Sequence, residues 1–141
     1  MQVDFYQLGR DPLAAVLARI ATRVLAGGGR LLVVTGDDAQ AASLDEALWA
    51  APDGFLPHGR DGGDQPVLIA ADAEPANAAR NVALVDGVWR EAATAYERAF
   101  HFFDDASIDA ARAAWRGLRG RDGIEPRYWR QDEDGRWAQV A

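Results

Sequence analysis

Few side chains in this sequence are equipped for covalent or metal chemistry. There is no cysteine, and the two histidines stand apart, His58 in a Gly/Pro-rich stretch and His101 among aromatic residues. That removes disulfides, thiolate metal sites, iron–sulfur clusters and cysteine nucleophiles together. It also leaves no histidine cluster at ligand spacing, so neither a metal nor a cofactor is expected. His101 reads as a packing or interface residue. No serine sits in a G-x-S-x-G turn, and neither G-x-x-x-x-G-K-[ST] nor G-x-G-x-x-G joins a strand to a helix. Gly27-Gly28-Gly29 precedes an apolar run, the wrong side for cradling a phosphate. Gly36-Asp37-Asp38 follows one, but an Asp pair at a helix start serves as a cap and repels an anion. Adjacent acids such as Asp45-Glu46 read as a solvated helix surface. No catalytic constellation emerges, and an enzyme is not expected.

Recognition chemistry is better represented. Arg112, Arg116 and Arg119 repeat at spacings of four and three, which places them in one stripe on a helix. Trp115 stands between that stripe and the apolar series Ile108, Ala111, Trp115, Leu118. A tryptophan bordered by guanidiniums suits a ligand carrying an apolar group beside carboxylates. The same spacing also describes a solvated arginine face on an ordinary helix. A second group begins at Leu44-Asp45-Glu46-Ala47-Leu48-Trp49 and continues at Phe55-Leu56-Pro57-His58. Trp49 falls about 100° round the helix from Leu48, given 3.6 residues per turn. Followed by Phe55, Leu56 and Pro57 in a loop, it forms an aromatic patch that either closes over the core or anchors a partner.

The elements that would position these residues alternate between strand and helix. Gln2–Leu8 reads as a strand. Asp11-Pro12 opens a helix, with Asp11 as cap and Pro12 in the first turn, and Leu13, Val16, Leu17, Ile20 and Val24 share one face. Arg30–Thr35 is a short, continuously apolar strand of the kind covered on both faces. A second helix runs from Gly36-Asp37-Asp38 to about Trp49. Pro52–Pro66 reads as a loop, Val67–Ala71 and Asn81–Val85 as strands, and Val88–Arg98 as a helix. A strand through Phe100, Phe102 and Phe103 follows, then a helix from about Ser107 to Arg119, capped by Asp104 or Asp105. The tail from Arg127 to Val140 alternates around Asp134-Gly135, a hairpin turn. This repetition implies an α/β fold with a mainly parallel sheet and helices on both faces.

The chain has 141 residues, 49% of them hydrophobic, enough for one domain spanning residues 1–141. No charged start followed by an apolar run marks a signal peptide, and Leu31–Thr35 is far too short for a bilayer. A soluble, cytoplasmic protein without a membrane partner is expected. All fifteen basic residues are arginine, a bias that a GC-rich bacterial genome would produce. The net charge is −7, unsuited to a general nucleic-acid binder. Charge is segregated, however: the segment from Arg112 to Arg136 is net positive while the remainder is strongly acidic.

Taken together, Leu44-Asp45-Glu46-Ala47-Leu48-Trp49, Phe55-Leu56-Pro57-His58, Tyr128-Trp129 with Gln131, and Gly135-Arg136-Trp137 resemble the chi subunit of bacterial DNA polymerase III holoenzyme. The opening Val3-Asp4-Phe5-Tyr6 and the length agree with that resemblance. It implies a Rossmann-like three-layer sandwich and a non-catalytic accessory subunit. It further implies two protein partners: the psi subunit of the clamp loader, and the acidic C-terminal tail of the single-stranded DNA-binding protein. An accessory repair helicase shares the psi-facing surface in the family, and DNA is touched only indirectly. Position by position, Trp49, Phe55, Leu56 and Pro57 fall on the psi- or helicase-facing patch. Arg112, Trp115 and Arg116, with Arg119 beside them, fall on the tail site, where many family members carry Tyr and Lys instead of Trp115 and Arg116. Ile108 occupies a position where the family can place a further basic residue, so the resemblance implies either compensation by Arg119 or Arg127 or a weaker site. The competing reading is a small Rossmann-like nucleotide-binding enzyme, for which a phosphate loop is missing. Direct binding of single-stranded DNA by the C-terminal arginines and tryptophans is a third.

Overall fold

Strand follows helix almost without interruption in the computed structural model, which describes residues 1–50, 57–60, 65–74 and 77–141. The elements are β1 (Gln2–Gln7), α1 (Leu13–Ala26), β2 (Leu31–Val34), α2 (Asp38–Trp49), β3 (His58–Gly59), β4 (Val67–Ala70), β5 (Asn81–Leu84), a short 3₁₀ helix (Glu91–Ala95), β6 (Arg98–Phe103), α3 (Ile108–Leu118), β7 (Glu125–Gln131) and β8 (Trp137–Gln139). The strands form one sheet in the order β3-β4-β2-β5-β6-β1-β7-β8. Every pairing is parallel except the antiparallel hairpin β7–β8. This is the mainly parallel α/β sheet with a C-terminal hairpin that the residue pattern implies, and the Rossmann-like sandwich that the resemblance implies.

The pleat explains the three layers. Alternate residues of a strand face opposite sides. Leu31, Val33, Ala83, Phe100 and Phe102 therefore join Val16, Leu17 and Ile20 of α1 and Leu44 and Leu48 of α2 in one core. Val3, Phe5, Leu32, Val34, Val82, Leu84 and Phe103 face the other way, against Ala111 and Leu118 of α3 and Ala93 of the 3₁₀ turn. Strands buried on both faces carry few polar side chains, which accounts for the apolar run at Leu31–Val34. One exception is Asp4, fully buried on the α1 side. Its carboxylate accepts from Trp129 Nε1 at 3.0 Å, Gln2 Nε2 at 3.0 Å and Arg98 Nε at 2.9 Å, which satisfies a charge that would otherwise be costly to bury.

Three local expectations are corrected. Pro12, not Asp11, occupies the cap position of α1. The Asp11 carboxylate instead accepts from Gln131 Nε2 at 2.9 Å and pairs with Arg19, tying the helix start to the C-terminal hairpin. The helix expected over Val88–Arg98 shrinks to one 3₁₀ turn. Arg98 is claimed by β6, paired on both sides with β1 and β5. The buried Tyr96 hydroxyl donates to Ala73 O at 2.7 Å, holding the chain in extended form just after the turn. His58, expected in a loop, lies in β3 opposite Val67. By contrast, Asp37 does cap α2, its side chain accepting from Gln40 N at 2.7 Å.

Candidate protein-binding surfaces

Helix α3 runs along the sheet face that carries Phe5 and Phe103. Ser107 occupies the cap position, and its backbone N–H donates to the Asp104 carboxylate at 3.2 Å. Ala111 and Leu118 are buried, while Ile108, Ala114 and Trp115 pack partly against the core. Ile108 is thus a packing residue here, not a gap in a charged row. The opposite side of α3 exposes Arg112 and Arg116, with exposed Arg119 just beyond its last turn. Arg116 in that turn also complements the helix dipole. The structure therefore brings together all four residues singled out on this helix.

Trp115 is held in a fixed attitude by rings. It meets Phe5 edge-on with centroids 5.5 Å apart and Tyr128 of β7 edge-on at 6.0 Å. Tyr128 in turn meets Phe103 at 5.6 Å and hydrogen-bonds through its hydroxyl to Gln7. Burial pushes the Tyr128 phenol upward, and the nearby Arg112 and Arg130 guanidiniums oppose that shift. Sequence reasoning missed Arg130. The signal was available, since Tyr128 and Arg130 are two apart on one strand and must share a face. Arg127 lies on the other face of the sheet, with Trp129, 3.5 Å from Glu125, which leaves Arg119 as the nearer of the two arginines to α3. Among the described residues, Arg112, Arg116, Arg119 and Arg130 make no salt bridge, whereas Arg121, next along the chain, is engaged with Glu91 at 2.6 Å.

Behind this surface lies His101, fully buried. Phe5 meets its ring edge-on at 5.2 Å and Trp89 at 5.9 Å. Neither ring nitrogen has a partner among the described residues. Burial pushes the imidazole down to about 4; Asp86 opposes that shift and Arg90 adds to it. The residue is a neutral member of an aromatic cluster, in keeping with the packing role expected of it.

The second surface lies at the other edge of the sheet. Leu44 and Leu48 pin α2 to the core, and Trp49, at the helix end, is 57% exposed. Its ring packs on His58 at 4.4 Å. His58 is buried, with Nε2 3.2 Å from both a carboxylate oxygen and the backbone oxygen of Asp45. Asp45 is therefore engaged in a contact, contrary to its expected solvation. Pro57 is half-buried and accepts from Val67 N at 3.2 Å. Phe55 and Leu56 lie outside the described residues. Among the described residues no group of three or more His, Asp and Glu could hold a metal ion, and no helix is long and apolar enough to cross a membrane.

These observations define a class: a Rossmann-like α/β protein with a basic-aromatic ridge at one edge of its sheet and an exposed tryptophan at the other. Comparison with known proteins gives the family. Residues 1–125 match the family model of the DNA polymerase III chi subunit, HolC. The chain is also 32% identical over 130 residues to DNA polymerase III subunit chi of Escherichia coli (strain K12), covering 82% of this chain and 88% of that protein. The chain belongs to the DNA polymerase III chi subunit family, whose members are replication accessory subunits.

Proposed function

We propose that this protein links the clamp loader to coated template, holding the psi subunit with one surface and the acidic C-terminal tail of single-stranded DNA-binding protein with the other. The observation that carries this reading is the unneutralised arginine group around Trp115. Four guanidiniums without acid partners among the described residues, beside a tryptophan set edge-on between Phe5 and Tyr128, suit a peptide that ends in acids and an aromatic residue. The terminal ring packs by Trp115. Arg112 and Arg116 hold the free carboxylate and neighbouring acids, with Arg119 and Arg130 at the margins. Trp49 and Pro57 belong to the psi-facing patch, to which the sequence resemblance also assigns Phe55 and Leu56, and which an accessory repair helicase would share. The two surfaces sit at opposite sheet edges, β3 and β7–β8, so both partners can be held at once. DNA is then reached only through the bound protein.

Calorimetric titration with an acidic peptide ending in Phe, against the same peptide lacking that Phe, tests the tail site. Expected is a dissociation constant on the order of 1 μM, roughly −8 kcal/mol, that rises with added salt and is lost without the Phe. Equal affinity for both peptides, or none for either, rejects the assignment.

A further inference from the structure

On the α1 side of the sheet, facing away from α3, a cavity of about 250 Å³ opens between the end of α1 and the starts of β5 and β6. Its apolar walls are Ile20, Val24 and Phe100, and its polar lining includes Tyr6, Arg23 and Arg98. Arg98 is engaged there. Its Nε donates to Asp4 at 2.9 Å, its Nη2 lies 2.8 Å from the same carboxylate, and its guanidinium carbon lies 4.6 Å over the Phe100 ring. Asp4 also accepts from Trp129 and Gln2, so both its oxygens are engaged, and Nη1 of Arg98 has no partner among the described residues. Arg23, exposed in the last turn of α1, makes no salt bridge among the described residues. The Tyr6 hydroxyl makes no hydrogen bond among them either. Two guanidiniums against one carboxylate leave a single positive charge beside an apolar wall.

From this arrangement we propose that the cavity binds a small monocarboxylate with an apolar body, its carboxylate between Arg23 and Arg98 Nη1 and its body against Ile20, Val24 and Phe100. The Tyr6 hydroxyl serves as a third donor. It keeps its proton because burial, and then the charge of Asp4, push its ionisation upward against the opposing pull of Arg98 and Arg23. The size of the cavity sits below that of drug-sized sites, which limits the body to about one ring. Fragments of that size bind on the order of 1 mM, and the partial negative charge at the end of α1 works in the same direction.

The test is a heteronuclear NMR titration of the full chain with sodium benzoate, following the Trp129 indole and the Gly27 and Gly29 amides. Expected are saturable shifts with a dissociation constant on the order of 1 mM. Benzyl alcohol, which lacks the charge, and inorganic phosphate, which lacks the apolar body, should bind at least about fivefold more weakly. Arg23→Gln, a surface change, should weaken benzoate by a similar factor while leaving the thermal midpoint in place, and Val24→Trp, which fills the cavity, should abolish it. No saturable shift, undiminished binding in Arg23→Gln, or phosphate binding as tightly as benzoate would each overturn the proposal. Because the cavity faces away from α3, the outcome is independent of the tail-binding reading.

Discussion

Arginine does two different jobs in this molecule, and the contrast between the sheet's α1 side and the outer side of α3 shows how to tell them apart. Arg98 is locked to buried Asp4, and Arg19 to Asp11 beside the C-terminal hairpin. In the loop after β5, Arg90 grips Asp86 at 2.8 Å, a contact that pushes the Asp86 carboxyl down against the effect of its burial and pushes Arg90 up. Along α3 the guanidiniums of Arg112, Arg116 and Arg119 stand open. In a chain that uses arginine for every basic position, residue type therefore says nothing about role, and partnering says a great deal. Paired arginines hold the fold together, while unpaired ones crowded round an aromatic ring are available to something else.

The largest effect should come from breaking the paired class. Arg98→Ala leaves a buried carboxylate without its cation and should cost about 3 kcal/mol in denaturant unfolding, with tail-peptide affinity unaltered. If stability barely moves, the division between the two classes fails. Next comes the cluster behind Trp115. His101 is held neutral, with its pKa lowered to about 4 from 6.5. The unfolded chain thus binds the proton more readily. The stabilisation is fully present above pH 6.5 and is lost as pH falls from 6.5 toward 4, by at most about 3 kcal/mol. His101→Leu should flatten that part of the stability profile without lowering stability at pH 7; an unchanged profile would show the ring to be solvated.

For the unpaired class the signs reverse. Arg112→Ala should weaken tail binding about tenfold, roughly 1.4 kcal/mol, while shifting stability by no more than about 0.5 kcal/mol. Calorimetry alongside thermal unfolding separates the two readouts. Smallest of all should be Arg121→Ala. Its pair with Glu91 is paired yet exposed, so its loss should cost well under about 1 kcal/mol. A larger cost would mean that the 3₁₀ turn depends on α3 through that contact.

Much of the fold was legible because its period is legible. The stripe Leu13, Val16, Leu17, Ile20, Val24 could only be a helix, and Leu31–Val34 could only be a strand covered twice. Asp134-Gly135 announced its hairpin, and Gly135 adopts φ +81° there. What local pattern could not carry was tertiary competition. Nothing near Val88 says that Arg98 is wanted by two neighbouring strands and a buried Asp4 almost a hundred residues away. The stripe on α3 was legible from helical spacing: Arg112, Trp115, Arg116 and Arg119 lie along one helix and its end. Tyr128 and Arg130 complete the surface from a strand whose neighbour, β1, lies at the other end of the sequence, and helical spacing cannot reveal them. The same limit hid the contact between Asp45 and His58, which lie thirteen positions apart in the sequence.

The position of β1 has a consequence for how the molecule is made. Gln2 is paired with Arg98 on one side and Glu125 on the other, so β1 waits for strands made about a hundred residues later before either edge is covered. Such distant pairings close slowly. During synthesis Val3 and Phe5 would therefore stand exposed on an open strand edge, a stage at which an unprotected chain aggregates. The yield of folded protein should depend on translation speed and on chaperones more than its native stability would suggest.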